Sequence, residues 1–318
     1  MHKDSKIFIA GSSGMVGSAI TRRLKSLSFN NLITPNSKEL DLLNQEAVNK
    51  FFSTNKPEYV FNAAAKVGGI YANDFYSADF IYENIQIQSN IIHFSMKYDI
   101  KKFLFMASSC IYPREAPQPI KESDLLCDYL EKTNEAYAIA KISGIKMLEH
   151  YKKGYNLKSV SLMPCNLYGQ NDNYDLRTSH VFPALIRKFV DAKLNNKSEV
   201  EVWGTGNVFR EFMHVDDVAR AAIYFMENEI ESNLINIGWG KEISIKELVE
   251  VIRIKTNFEG DIVWDKSKKD GTVHKCLDVS KMNEVGFKPS INLQQGIELT
   301  IDSYCLEQYG KIYKDLLR

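Results

Sequence analysis

The chain has 318 residues, 44% of them hydrophobic, and its 40 Lys and Arg balance its 40 Asp and Glu to a formal charge of zero. This is the composition of an ordinary folded protein with an ample core. With neither a net excess nor a long block of Lys and Arg, it excludes a broad nucleic-acid-binding face and polybasic attachment to membranes.

Ile7–Ala10 reads as a strand and Met15–Leu27 as a helix with Val16, Ile20 and Leu24 on one face. Leu32–Thr34 is a second strand, Gln45–Ser53 a helix, Tyr59–Asn62 a strand, Asn84–Tyr98 a helix and Phe103–Ala107 a strand. Asn134–Tyr151 is helical and Ser159–Met163 a strand. The rhythm predicts an α/β fold, a Rossmann-like doubly wound parallel sheet covered by helices on both faces. After about residue 166 the rhythm breaks. Isolated strands (Glu199–Trp203, Asp261–Trp264) and helices near Val181–Lys193, Asp216–Glu227, Ile245–Lys255 and Leu293–Tyr309 predict a smaller α+β substrate-binding portion. Residues 1–165 then form a cofactor domain, to which the chain returns around 214–238, and 166–318 the substrate domain.

The five cysteines, Cys110, Cys127, Cys165, Cys276 and Cys305, are odd in number and without zinc spacing. Reduced thiols, the short apolar run at the N-terminus and the lack of any stretch of about 20 apolar residues predict a soluble, cytoplasmic protein.

Directly after the first strand stands Gly11-Ser12-Ser13-Gly14-Met15-Val16-Gly17, followed by a helix. Gly11 permits a tight turn, Gly14 lets backbone approach a pyrophosphate, and Gly17 lets the helix pack close to the sheet. The helix N-terminus then faces the anion. In this context the loop predicts dinucleotide binding. NAD binders place an acid about 20 residues on. Here the stretch is Asn36, Ser37 and Lys38, which can donate to a 2′-phosphate, so NADP(H) is expected.

Tyr137 and Lys141 stand at i and i+4 on one helix face, and Ser108 follows a strand end. Hydride delivery to a ketone makes an alkoxide that needs a proton. A neighbouring ammonium would ease proton exchange by the phenol, whose ordinary pKa is about 10. Ser108 would hold the carbonyl oxygen beside Tyr137.

On these features the chain resembles the extended short-chain dehydrogenase/reductase family, and within it the GDP-L-fucose synthase branch of 3,5-epimerase/4-reductases. The resemblance covers nearly the whole chain. It rests on GSSGMVGSAI (11–20), NAAAKVGGIYAN (62–73), ADFIYEN (78–84), SSCIYP (108–113), TNEAYAIAKISGIK (133–146), NLYG (166–169), SHVFPALIRKF (179–189), VWGTGNVFREFMHVDDVA (202–219) and DGT, HK and LDV within 270–279. It implies NADPH as cofactor, a GDP-linked 4-keto sugar as substrate and a homodimer. It also implies Cys110 and His180 as the acid/base pair for epimerisation at C3 and C5, a thiolate and an imidazolium bracketing the ring.

The same resemblance adds Asp41, Ala63, Ala64, Ala65, Pro164, Asn166, Leu167 and His180 to the cofactor site. It adds Val67, Gly68, Ser109, Cys110, Asn166, Lys188, Trp203, Arg210 and Lys275 to the substrate site. His214-Val215-Asp216-Asp217 reads as a helix start with acids in its first turn, and no metal is expected. Three departures stand out. Ser12-Ser13 replaces a His-Arg pair, an arginine near Ser37 is missing, and 173–178 differs just before His180. The first two leave a 2′-phosphate chiefly to Lys38. The third leaves open a different sugar, such as a GDP-4-keto-heptose, and a reductase without epimerase activity. A non-catalytic nucleotide-binding protein is the rival of another class, but has no use for Ser108, Tyr137 and Lys141 together.

Overall fold

The computed structural model describes residues 1–268 and 270–317. The first half runs β1 (Ile7–Ala10), α1 (Met15–Ser26), β2 (Leu32–Ile33), α2 (Gln45–Asn55), β3 (Tyr59–Asn62), α3 (Ile70–Phe75), α4 (Ser77–Lys97), β4 (Lys102–Met106), α5 (Glu135–Tyr155) and β5 (Ser159–Pro164). The second half runs β6 (Asn166–Tyr168), α6 (Val181–Leu194), β7 (Glu199–Trp203), β8 (Phe209–His214), α7 (Val215–Glu227) and β9 (Leu234–Ile237). It continues with β10 (Glu242–Ser244), α8 (Ile245–Lys255), β11 (Asp261–Asp265), α9 (Ser280–Glu284), α10 (Leu293–Tyr309) and α11 (Tyr313–Leu316).

Six strands form a sheet in the order β2-β1-β3-β4-β5-β9, every neighbouring pair parallel. β1 and β5 are buried along their whole length, as strands covered on both faces must be. From β1 the chain goes first to one side, to β2, and then crosses to β3 on the other. The crevice outside the carboxyl ends of β1 and β3 is therefore the topological switch point, where such sheets take their ligands. β9 completes the sheet beside β5, and α7 packs against α1.

A second core gathers Tyr168, Phe182, Phe189, Phe212, Leu248 and Ile297 beneath a three-stranded sheet β10-β8-β6. Tyr168 and Phe182 stack there with centroids 3.9 Å apart. Glu199–Trp203 and Asp261–Asp265 are not isolated strands: they pair with each other in parallel, a long-range match that neither segment's pattern reveals. α4 starts at Ser77, two turns earlier than its apolar periodicity predicts, because its first turns carry exposed side chains such as Tyr82. β6 and β10 span three residues each, too few for any periodicity to register. Among the described residues no helix is long and apolar enough to cross a membrane.

Candidate active site

The switch-point crevice is floored by backbone. Gly11 sits at φ +78°, and a Cβ there would lie 2.7 Å from the amide nitrogen of Ala64. A Cβ on Gly17 would overlap the carbonyl oxygen of Gly11. The turn after β1, the first turn of α1 and Ala63–Ala65 after β3 are thus packed without room for side chains between them. Gly14 caps α1 with no side-chain hydrogen bond, so the free N–H groups and dipole of the helix face the crevice. These residues fit a dinucleotide pyrophosphate. Gly17→Ala is expected to push α1 off the cradle and weaken NADPH binding by about 100-fold or more, as read by fluorescence titration.

Past β2, the side-chain oxygen of Asn36 accepts the N–H groups of Lys38 (2.9 Å) and Glu39 (3.2 Å), and Glu39 Oε2 accepts that of Asn36 (2.8 Å). Asp41 Oδ1 accepts the Leu43 N–H at 2.9 Å. Asn36 and Asp41 therefore spend these oxygens on the loop itself. Ser37 and Lys38 stand exposed.

Ser108 follows β4, and its Oγ accepts the N–H of Cys110 at 3.2 Å, shaping a short 3-10 turn over Ser109–Ile111. Ser109 is buried and Cys110 half-buried. On α5, Lys141 is 2% exposed; its Nζ donates to the Met106 carbonyl at 2.9 Å and lies 5.6 Å from the ring centre of Tyr137. Burial lowers the Lys141 pKa to about 7 and raises that of Tyr137. Desolvation thus moves the phenol in the direction opposite to the depression expected from a neighbouring ammonium. A phenol that keeps its proton is the form a donor needs. Charge on Cys110 acts in the same sense, opposing ionisation of Tyr137.

Burial of Lys141 makes cofactor binding depend on pH. Its pKa falls from the ordinary 10.5 to about 7, so above that value the free protein is neutral at Lys141. Binding an anionic cofactor then requires proton uptake. Relative to Lys141→Met, wild-type NADPH affinity is expected to be about tenfold weaker at pH 8 than at pH 6, by titration in matched buffers.

His180 caps α6 with no side-chain hydrogen bond and is exposed at the cleft, yet the surrounding protein desolvates its imidazole and lowers its pKa. Its segment is tied to the loop of Val67 and Gly68, because Gly69 N–H donates to Thr178 O at 3.1 Å. Val67 itself is exposed. Pro164 and Leu167 flank the end of β5, and Asn166 donates from Nδ2 to Glu211 O at 3.1 Å. His214 accepts the Asp216 N–H at 3.3 Å as the cap of α7.

Lys188, Trp203 and Arg210, expected at the substrate, fall into two groups. Lys188 and Lys268 lie 5.3 and 5.1 Å from the centre of the Trp203 ring, whose Nε1 donates to Glu201 at 3.0 Å. Arg210 donates from Nη1 to Thr272 O at 2.7 Å and to Phe209 O at 2.6 Å. What joins them is a strap, residues 270–277, whose long-range contacts no local pattern shows. Asp270 accepts from Thr205 (2.6 Å from Oγ1), and Phe209 N–H donates to Val273 O at 2.7 Å. Cys276 N–H donates to Gln118 at 2.8 Å, and Leu277 N–H donates to the buried Glu211 at 2.8 Å. The strap carries Lys275 to 4.0 Å from the sulfur of Cys110. Lys275, expected at the substrate, thus stands beside the candidate base. Burial raises the pKa of Glu211 to about 7, although three backbone N–H groups oppose that rise. Among the described residues no group of three or more His, Cys, Asp or Glu is placed to hold a metal.

The family model described as the NAD dependent epimerase/dehydratase family matches residues 7–238. GDP-L-fucose synthase 1 of Arabidopsis thaliana is 50% identical over 302 residues, 95% of this chain and 94% of that protein. A solved GDP-6-OMe-4-keto-L-xylo-heptose reductase from C. jejuni superposes with a TM-score of 0.91 at 38% identity, covering 97% of this chain and 99% of that one. A GDP-L-fucose synthetase from Naegleria fowleri, solved with NADP bound, gives 0.90 at 28% identity, covering 98% and 96%. The parallel sheet, the glycine cradle and these likenesses agree: the chain belongs to the NAD-dependent epimerase/dehydratase family.

Proposed function

We propose that the protein reduces the C4 ketone of a GDP-linked 4-keto-6-deoxy sugar with NADPH, after epimerising the sugar at C3 and C5. One observation carries the reading: Lys141 of α5, one helical turn from Tyr137, bonds the Met106 carbonyl at the end of β4, where the chain turns through Ser108 to Cys110 at the carboxyl edge of the sheet. A relative named GDP-L-fucose synthase 1 aligns with nearly the whole chain.

NADPH supplies hydride to C4 when bound. Gly11–Val16 and Ala63–Ala65 hold its pyrophosphate side, Pro164, Leu167 and Lys141 its nicotinamide side, and Ser37 and Lys38 the 2′-phosphate. Ser108 and Tyr137 face the ketone oxygen, and Tyr137 protonates it as it becomes an alkoxide. The same donors stabilise the enolate formed when Cys110 takes a proton from the neighbouring carbon. His180 returns a proton from the other face, and the negative diphosphate favours the protonated imidazole that this step needs. Lys188, Trp203 and Arg210 receive the nucleotide. We assign residues 1–165, with the return over 214–238, to the cofactor half and 166–318 to the substrate half. A homodimer follows from the resemblance, and a cytoplasmic setting from five free cysteines.

Incubation with NADPH and GDP-4-keto-6-deoxymannose tests the reading: NADPH oxidation is expected. A second reading, reduction alone on a GDP-4-keto-heptose, is favoured by the C. jejuni likeness and the altered segment 173–178. Oxidation only with the heptose would select it, and oxidation with neither would overturn both.

A further inference from the structure

We infer that Lys275 is a positioning residue for the epimerisation, acting through Cys110 as its charge partner. The inference rests on the proposed epimerase activity and deepens it.

The geometry is built, not incidental. Lys275 lies in a strap pinned on both sides of it. Val273 O accepts from Phe209 N–H (2.7 Å), and Cys276 accepts at its carbonyl from Ile120 N–H (2.8 Å) while donating to Gln118. Leu277 N–H is held by Glu211, whose other oxygen accepts Gly240 N–H at 2.6 Å. With its neighbours fixed, the half-buried Lys275 reaches the Cys110 sulfur at 4.0 Å. Among the described residues it forms no ion pair with a carboxylate, so its charge is not spent elsewhere in the protein. Cys110 is fixed from the other side by its N–H to Ser108.

The chemistry needs a cation there. In the base step the C–H bond beside the ketone breaks, the proton passes to the Cys110 sulfur, and the electron pair moves into the enolate. His180 then gives a proton to the opposite face of the same carbon. Lys275 exchanges no proton. A base must carry negative charge until it takes the proton, and an ammonium in contact with the sulfur balances that charge.

The test uses the full chain with Lys275→Met and Lys275→Arg, and NADPH affinity checks that each variant is folded. First, alkylation of Cys110 by iodoacetamide at pH 7.5 is followed on its peptide by mass spectrometry. The Met variant is expected to react about tenfold more slowly and the Arg variant to recover most of the rate. Second, with NADP⁺ and GDP-4-keto-6-deoxymannose in heavy water, kcat for C3 and C5 exchange at saturating substrate is expected to fall about tenfold or more in the Met variant. Wild-type alkylation rates in Lys275→Met, or a raised KM with unchanged kcat, would overturn the inference and leave Lys275 a substrate contact. A wild-type protein that catalyses no exchange overturns the epimerase reading itself.

Discussion

Tyr137→Phe is expected to slow NADPH oxidation with the keto sugar by about a thousandfold while cofactor binding is kept. The substitution deletes one hydroxyl. The ring stays against Phe80, where the two centroids lie 6.5 Å apart at 74°, and Lys141 keeps its bond to Met106 O. The fold and cradle therefore persist, and only the proton for the new alkoxide is lost. Because burial holds the Tyr137 proton in the free protein, the donor is ready without prior titration. Exchange at C3 and C5 loses only one of two groups facing the enolate oxygen, and should fall by about tenfold. Single-turnover absorbance and titration separate these effects, and near-normal turnover would refute the assignment of the donor.

Cys110→Ser should do the reverse. A serine hydroxyl of nearly the same size keeps the turn, since the Cys110 backbone N–H, not its side chain, bonds Ser108. An alkoxide is a far less accessible base than a thiolate, so C3 and C5 exchange is expected to fall about a thousandfold. Reduction of a sugar that already has the product configuration at C3 and C5 should continue, because Ser108, Tyr137 and Lys141 are untouched. Comparing the two substrates in one stopped-flow series checks this. Equal loss on both would assign Cys110 to the reduction.

Local chemistry was legible in the sequence. The loop Gly11–Gly17 sits between a strand and a helix, and Tyr137 and Lys141 share a helix face, so each pattern is contained in a few residues. α8 and α10 match their apolar periodicity residue for residue. What was illegible is long-range. The β7–β11 pairing and the strap over 270–277 depend on partners some sixty to well over a hundred residues away, such as Gln118 and Glu211. Glu211 looks like one more charge in a charged stretch, yet it is fully buried and holds two turns together. Protonation states were also out of reach, because they depend on burial. Lys141 and His180 both lose proton affinity to desolvation that residue type does not reveal. Asn36 and Asp41 also spend side-chain oxygens on their own loop, because short polar side chains bond nearby backbone first.

One cleft is proposed to carry out both proton exchange beside the ketone and its reduction. The most direct measurement is the reaction with NADPH and GDP-4-keto-6-deoxymannose in heavy water, with the product read by NMR. The expected product has a reduced C4 and carries deuterium at C3 and C5. A reduced C4 with hydrogen retained at both ring positions would show that the cleft reduces without exchanging those protons.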